Sequence, residues 1–115
     1  MTIPGKTTMW SSGVKVYFGL DGEEHEHDGL VQVLVDTRDM RWVRTSKGVI
    51  PAGCRPVVGG RGNFDGSNQE LYHCAVWWHG QRVPGCTSER MGHAAITWGG
   101  SMWYFEDDYE ILCWV

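Results

Sequence analysis

Apolar and polar positions alternate over short distances along this chain. The runs 14–18, 30–35, 40–44, 70–78, 94–98 and 109–115 are rich in β-branched and aromatic residues, the composition of strands. Within residues 71–78 a period of two places Tyr72, Cys74, Val76 and Trp78 on one face and Leu71, His73, Ala75 and Trp77 on the other. Both faces are apolar enough to predict that both are covered. Between the runs stand Asp21-Gly22, Lys47-Gly48, Gly59-Gly60, Asp65-Gly66, His79-Gly80 and Gly99-Gly100, pairs that suit the positive φ of tight hairpins. No stretch carries a helical apolar period, and no Ser/Pro linker divides the chain. The pattern predicts one all-β domain over residues 1–115, an antiparallel sandwich or barrel-like arrangement of short strands. The polar, acidic segment 21–29 is expected in a surface loop.

The pattern also repeats. Residues 83–115 match residues 3–35 at an ungapped offset of 83 − 3 = 80. Ile3-Pro4-Gly5-Lys6 returns as Val83-Pro84-Gly85-Cys86, and Thr7, Gly19, Glu26, Asp28 and Val35 meet Thr87, Gly99, Glu106, Asp108 and Val115. A fixed period indicates a fold built from related units; here half a unit, residues 3–35, precedes a whole one. A domain of pseudo-twofold repeats is the expectation.

Composition narrows the function. Sixteen glycines and seven tryptophans among 115 residues favour strands and turns over helices. The net charge of −4 supplies no basic field for nucleic acid. No apolar run is long enough to insert into a membrane, and the N-terminus lacks a charged segment followed by an apolar signal core. The expected location is therefore the cytoplasm, or the cell surface reached without a signal peptide. Cys54, Cys74, Cys86 and Cys113 lack metal-type spacing and are expected as reduced, mostly buried thiols.

Candidate chemistry is sparse. His25 and His27 share a face of an extended segment, but two imidazoles do not make a metal site, and none is expected. Cys74, Cys86, His73 and His93 as thiol and base, or Asp107 with Asp108 as a carboxylate pair, lack any supporting catalytic motif. A non-enzyme without a cofactor is the outcome.

The run Trp42-Val43 to Gly53-Cys54, continuing to Val57-Val58-Gly59-Gly60, resembles the opening half of the DM-nine repeat of natterin-like proteins. Leu71-Tyr72, Val83-Pro84-Gly85, residues 94–100 and Tyr109-Glu110-Ile111-Leu112 resemble its closing half in order and spacing. The resemblance covers 42–115 as a full repeat and 3–35 as the closing half of another. It implies a mannose-binding lectin of the kind used in invertebrate microbial recognition. On the same resemblance, the lysine of Pro-Gly-Lys and an acid after Gly-Gly hold the sugar. Lys6 matches that lysine, Cys86 stands where the second should be, and Asp65 or Asn63 stands near the acid's position. Trp10, with Trp77 and Trp103 as alternatives, can supply an apolar wall. Mannose-type glycans are the expected ligand. A structural, protein-interacting module that has lost sugar binding is the alternative, and the unmatched strand edges of a half repeat predict a homodimer.

Overall fold

The computed structural model describes residues 3–10, 13–20, 22–27, 37–63 and 68–115. Among them there is no helix. The strands are β1 (Lys6–Trp10), β2 (Gly13–Leu20), β3 (Glu23–His27), β4 (Met40–Thr45), β5 (Arg55–Pro56), β6 (Val58–Asn63), β7 (Asn68–Trp78), β8 (Gln81–Thr87), β9 (Ala94–Trp98), β10 (Ser101–Phe105) and β11 (Tyr109–Trp114). They pair in the order β1-β2-β3-β10-β9-β8-β7-β11-β4, with β5 on β11 and β6 on β7. Every pairing is antiparallel. The all-β antiparallel expectation stands, and the path is open instead of closing into a barrel.

The turn pairs mostly do what their chemistry demands. His79-Gly80 (φ 52° and 77°) and Gly99-Gly100 (φ 64° and 87°) each join adjacent strands through two residues. Positive φ at both central positions gives a turn whose twist matches that of the strands. Gly59-Gly60 is an exception: it lies inside β6, where pairing with β7 slips between Val58 and Gly60. A Cβ at Gly59 would stand 2.6 Å from His73 Nε2 and 2.9 Å from Pro4 Cγ. The missing side chain admits Pro4. Asp65-Gly66 and the run 30–35 lie outside the described residues.

The expected loop at 21–29 contains a strand instead. β3 pairs with β2 from Leu20↔Glu23 to Val16↔His27 and touches β10 at Glu23↔Ser101. Its polarity suits a strand half open to water, and the ladder from β2 supplies its backbone bonds.

That contact between β3 and β10 lies on a pseudo-twofold axis. The β2–β3 hairpin closes at Leu20↔Glu23 and the β9–β10 hairpin at Trp98↔Ser101, so the structural offset is 98 − 20 = 78. At that offset Glu23 and Ser101 are mates, and they face each other. Two backbone bonds flank them, Glu24 N–H to Gly100 O at 3.1 Å and Met102 N–H to Gly22 O at 3.2 Å, and each becomes the other on adding or subtracting 78. The ungapped offset of 80 is thus corrected beyond the first strand. Lys6 faces Tyr17 and Cys86 faces Ala95; 86 − 6 = 80, whereas 95 − 17 = 78. The second copy has two residues fewer between these strands. Gly19 consequently matches Thr97 and not Gly99.

The core comprises Cys74, Val76, Val83, Ala94, Ile96 and Tyr109, flanked by Trp78, Trp98 and Phe105. The buried Tyr109 hydroxyl accepts the Gly48 N–H at 2.9 Å, which keeps the phenol from being an unsatisfied polar group. The expectation of four reduced cysteines is corrected for two of them: Cys54 and Cys113 form a disulfide with Cα atoms 5.7 Å apart. The short β5 lies against the end of β11, pairing Pro56 with Cys113, and so carries Cys54 to its partner. Cys74 and Cys86 are free and buried.

Candidate functional site

Lys6 opens β1 directly after Pro4-Gly5. A Cβ at Gly5 would collide with the Tyr17 carbonyl oxygen, and one at Gly85 with the Ala95 carbonyl oxygen. Both glycines therefore permit the same close approach in the two copies, because Tyr17 and Ala95 are mates. This approach aims Lys6 at the β3–β10 junction. Its ammonium donates to the Thr97 carbonyl and pairs with Glu24 Oε2 at 3.4 Å. It lies 5.2 Å from the Trp98 ring centroid and 6.0 Å from that of Tyr17.

Glu24 is fastened on its other oxygen, where Oε1 accepts the Gly100 N–H at 3.1 Å. Burial alone raises its pKa, but hydrogen bonds from Thr97 and Gly100, together with the Lys6 charge, outweigh burial and hold it below the ordinary carboxylate value. The side chains of Lys6 and Glu24 are 11% and 12% exposed. The result is a fixed donor, a fixed acceptor and two aromatic faces at one corner, the equipment that recognises hydroxyl-rich rings.

The mate of this corner has exchanged its chemistry. Cys86 replaces Lys6, Met102 replaces Glu24 and Gly19 replaces Thr97. Met102 folds onto Gly19, where a Cβ would stand 2.6 Å from its methyl carbon. Burial pushes the Cys86 thiol up to about 12. The two corners meet in a cavity of about 470 Å³ whose lining includes Lys6, Thr97, Cys86, Met91, Met102 and Tyr104. The Tyr104 hydroxyl donates to Met102 Sδ at 3.6 Å, and its ring meets His93 edge-on at 5.0 Å.

Of the residues expected from sequence, Lys6 is placed at this corner. Trp10 ends β1 opposite Gly13, and Asn63 ends β6 opposite Asn68; their side chains, and the whole of Asp65, lie outside the described residues. Trp103 bonds through its indole N–H to the Trp98 carbonyl at 3.0 Å and lies 5.6 Å from Trp78. Trp77, 54% exposed, stacks on Arg82 at 4.7 Å, and Glu110 fixes that guanidinium at 2.9 Å. Sequence reasoning missed Glu24, Thr97 and Trp98. Glu24 was concealed in the segment taken for a loop, where alternation of Glu24 and Glu26 with His25 and His27 was the available signal.

The other candidates are occupied structurally. His25 stacks on Phe18 at 5.4 Å and donates to the Leu20 carbonyl at 3.1 Å. Among the described residues no three His, Cys, Asp or Glu side chains converge. Burial lowers the His73 pKa and raises those of Cys74 and Cys86, so both thiols stay protonated and are poor nucleophiles. Asp107 pairs with Lys47 at 4.0 Å and Asp108 with Arg44 at 3.3 Å. The carboxylates serve separate ion pairs.

No curated protein matches the chain. The sequence model described as the DM9 repeat matches residues 1–105, a span that takes in both Pro-Gly motifs, the pseudo-twofold junction and the Lys6–Glu24 corner. The chain belongs to the DM9 repeat family, whose members are lectin-like carbohydrate-binding modules and not catalytic domains.

Proposed function

We propose that this chain is a non-catalytic lectin for mannose-type glycans, acting in microbial recognition, with its site at the Lys6–Glu24 corner. The observation that carries the reading is the 3.4 Å pair of Lys6 and Glu24 beside the Trp98 ring. An ammonium has three donors; Thr97 and Glu24 engage two, and the third serves a sugar hydroxyl while Glu24 accepts from a neighbouring one. Asn63 and Asp65 enter by resemblance to the lectin motif, and Trp10 as a candidate apolar wall for the sugar ring. The Cys54–Cys113 bond favours an oxidising, exported setting over the cytoplasm.

Retention on mannan-agarose tests the reading. The unaltered protein is expected to be retained and eluted by free mannose, while Lys6→Ala and Glu24→Gln, shown to be folded by circular dichroism, pass through. Passage of the unaltered protein, or equal retention of all three, removes the proposal.

A second reading, an assembly module, is favoured by one observation. β8 is paired on both sides, by β7 and β9, whereas its mate β1 is paired only by β2 among the described strands. The open edge offers backbone groups to another copy. Light scattering after gel filtration distinguishes the cases: a mass of 13.0 kDa at every concentration rules out the homodimer.

A further inference from the structure

We propose that the Cys86–Met102 half of the axial cavity holds the apolar aglycone of an amphipathic glycoside, an alkyl or acyl chain attached to the sugar, as in a glycolipid. This rests on the glycan reading of the Lys6–Glu24 corner and names the ligand class that the whole cavity accepts.

Three observations carry it. The twofold relation puts a charged pair and two sulfur side chains at matching positions: Lys6 with Glu24 on one side of the axis, Cys86 with Met102 on the other. One charge of such a pair standing alone would be buried and unpaired; with neither charge present, the Cys86–Met102 side is a wall of uncharged sulfur side chains at no such cost. The two halves are also continuous, because Lys6 belongs to both, through its ammonium to the ion pair and as a lining residue to the cavity. Finally, the cavity of about 470 Å³ has the volume of sites for small organic ligands. Methionine thioethers at Met91 and Met102 conform to flexible chains better than branched side chains do. Tyr104, 52% exposed, and the Met102 it bonds form a wall reaching from solvent into this half. The raised pKa of Cys86 agrees with a desolvated surface at that residue, and Gln69, Arg90 and His93 add polar groups elsewhere in the lining.

Binding of methyl α-mannoside, octyl α-mannoside, octyl β-glucoside and octanol, measured by tryptophan fluorescence below micelle-forming concentrations, tests the proposal. The octyl mannoside is expected to bind roughly tenfold or more tighter than the methyl mannoside, since several methylenes leave water. Installing a charged pair with Cys86→Lys and Met102→Glu together is expected to erase most of that advantage while the methyl mannoside keeps at least its affinity for the Lys6–Glu24 corner. Met91→Glu, in the half-buried wall, provides the same readout should the double variant fail to fold. Equal affinity for methyl and octyl mannosides overturns the inference. Equal affinity for all three octyl compounds, reduced by the same substitutions, supports the apolar half-site and overturns the mannose reading instead.

Discussion

Glu24 and Met102 occupy matching positions across the pseudo-twofold axis, and their backbone amides make matching bonds, at 3.1 Å to Gly100 and 3.2 Å to Gly22. Their side chains do opposite things. One holds an ammonium, and the other covers a glycine. Shared backbone geometry with divergent side chains is how a duplicated scaffold acquires two unlike sites.

The Glu24 carboxylate has a depressed pKa in the folded state, so its contribution is present above the unfolded carboxylate value and disappears as pH falls through the folded one. Glu24→Gln should lower stability by roughly 1.5–3 kcal/mol at pH 7, the range for hydrogen bonds to charged groups. At pH below the folded pKa the two proteins should converge. Urea unfolding at neutral and acid pH checks this, and a constant difference across pH would contradict it.

The Cys54–Cys113 bond closes a sequence separation of 59 residues. Loop-closure entropy for that length corresponds to about 4 kcal/mol as an upper figure. Thermal unfolding with and without a phosphine reductant should show a clear fall in the midpoint, and Cys54→Ala with Cys113→Ala should reproduce it without reductant.

Cys74 and Cys86 are buried, and burial raises both pKa values. The native protein should react slowly with an aromatic disulfide reagent at pH 8, and both thiols should react at once in guanidinium. Rapid labelling of the native state would mean that the cavity wall at Cys86 opens readily.

Gly5 and Gly85 are mates that each admit a carbonyl oxygen. Gly5→Ala and Gly85→Ala should each cost about 1–3 kcal/mol by overpacking against backbone. Gly5→Ala should also weaken mannan retention, since it displaces the strand that presents Lys6. Denaturant titration and column retention, measured on the same samples, separate the two effects.

Much of the fold was legible because its signals are local. Residues 94–98 were read as a strand with the boundaries that β9 has, and His79-Gly80 and Gly99-Gly100 were read as the hairpins they are. β3 was missed because an exposed strand of charged residues has the composition of a loop, and only its ladder with β2 distinguishes them. Gly59-Gly60 has the composition of a turn, yet serves as a bulge that accommodates Pro4. Lys6 was found through its motif, whereas its partners Glu24 and Thr97 lie on strands that β1 does not pair with.

By itself, then, the amino-acid sequence determined the strand class, most hairpins, the existence of a duplication and Lys6 as its chemically distinct member. All of these arise from period-two alternation, turn residues and near-neighbour similarity. Tertiary structure alone decided the offset of 78 in the second hairpin, the Cys54–Cys113 bond, the Lys6–Glu24 pair and its exchange for Cys86 and Met102. Each depends on strand register and on two hairpins meeting about an axis. Those relations between distant residues are set by backbone pairing and packing across the sheet, and no short stretch of chain encodes them.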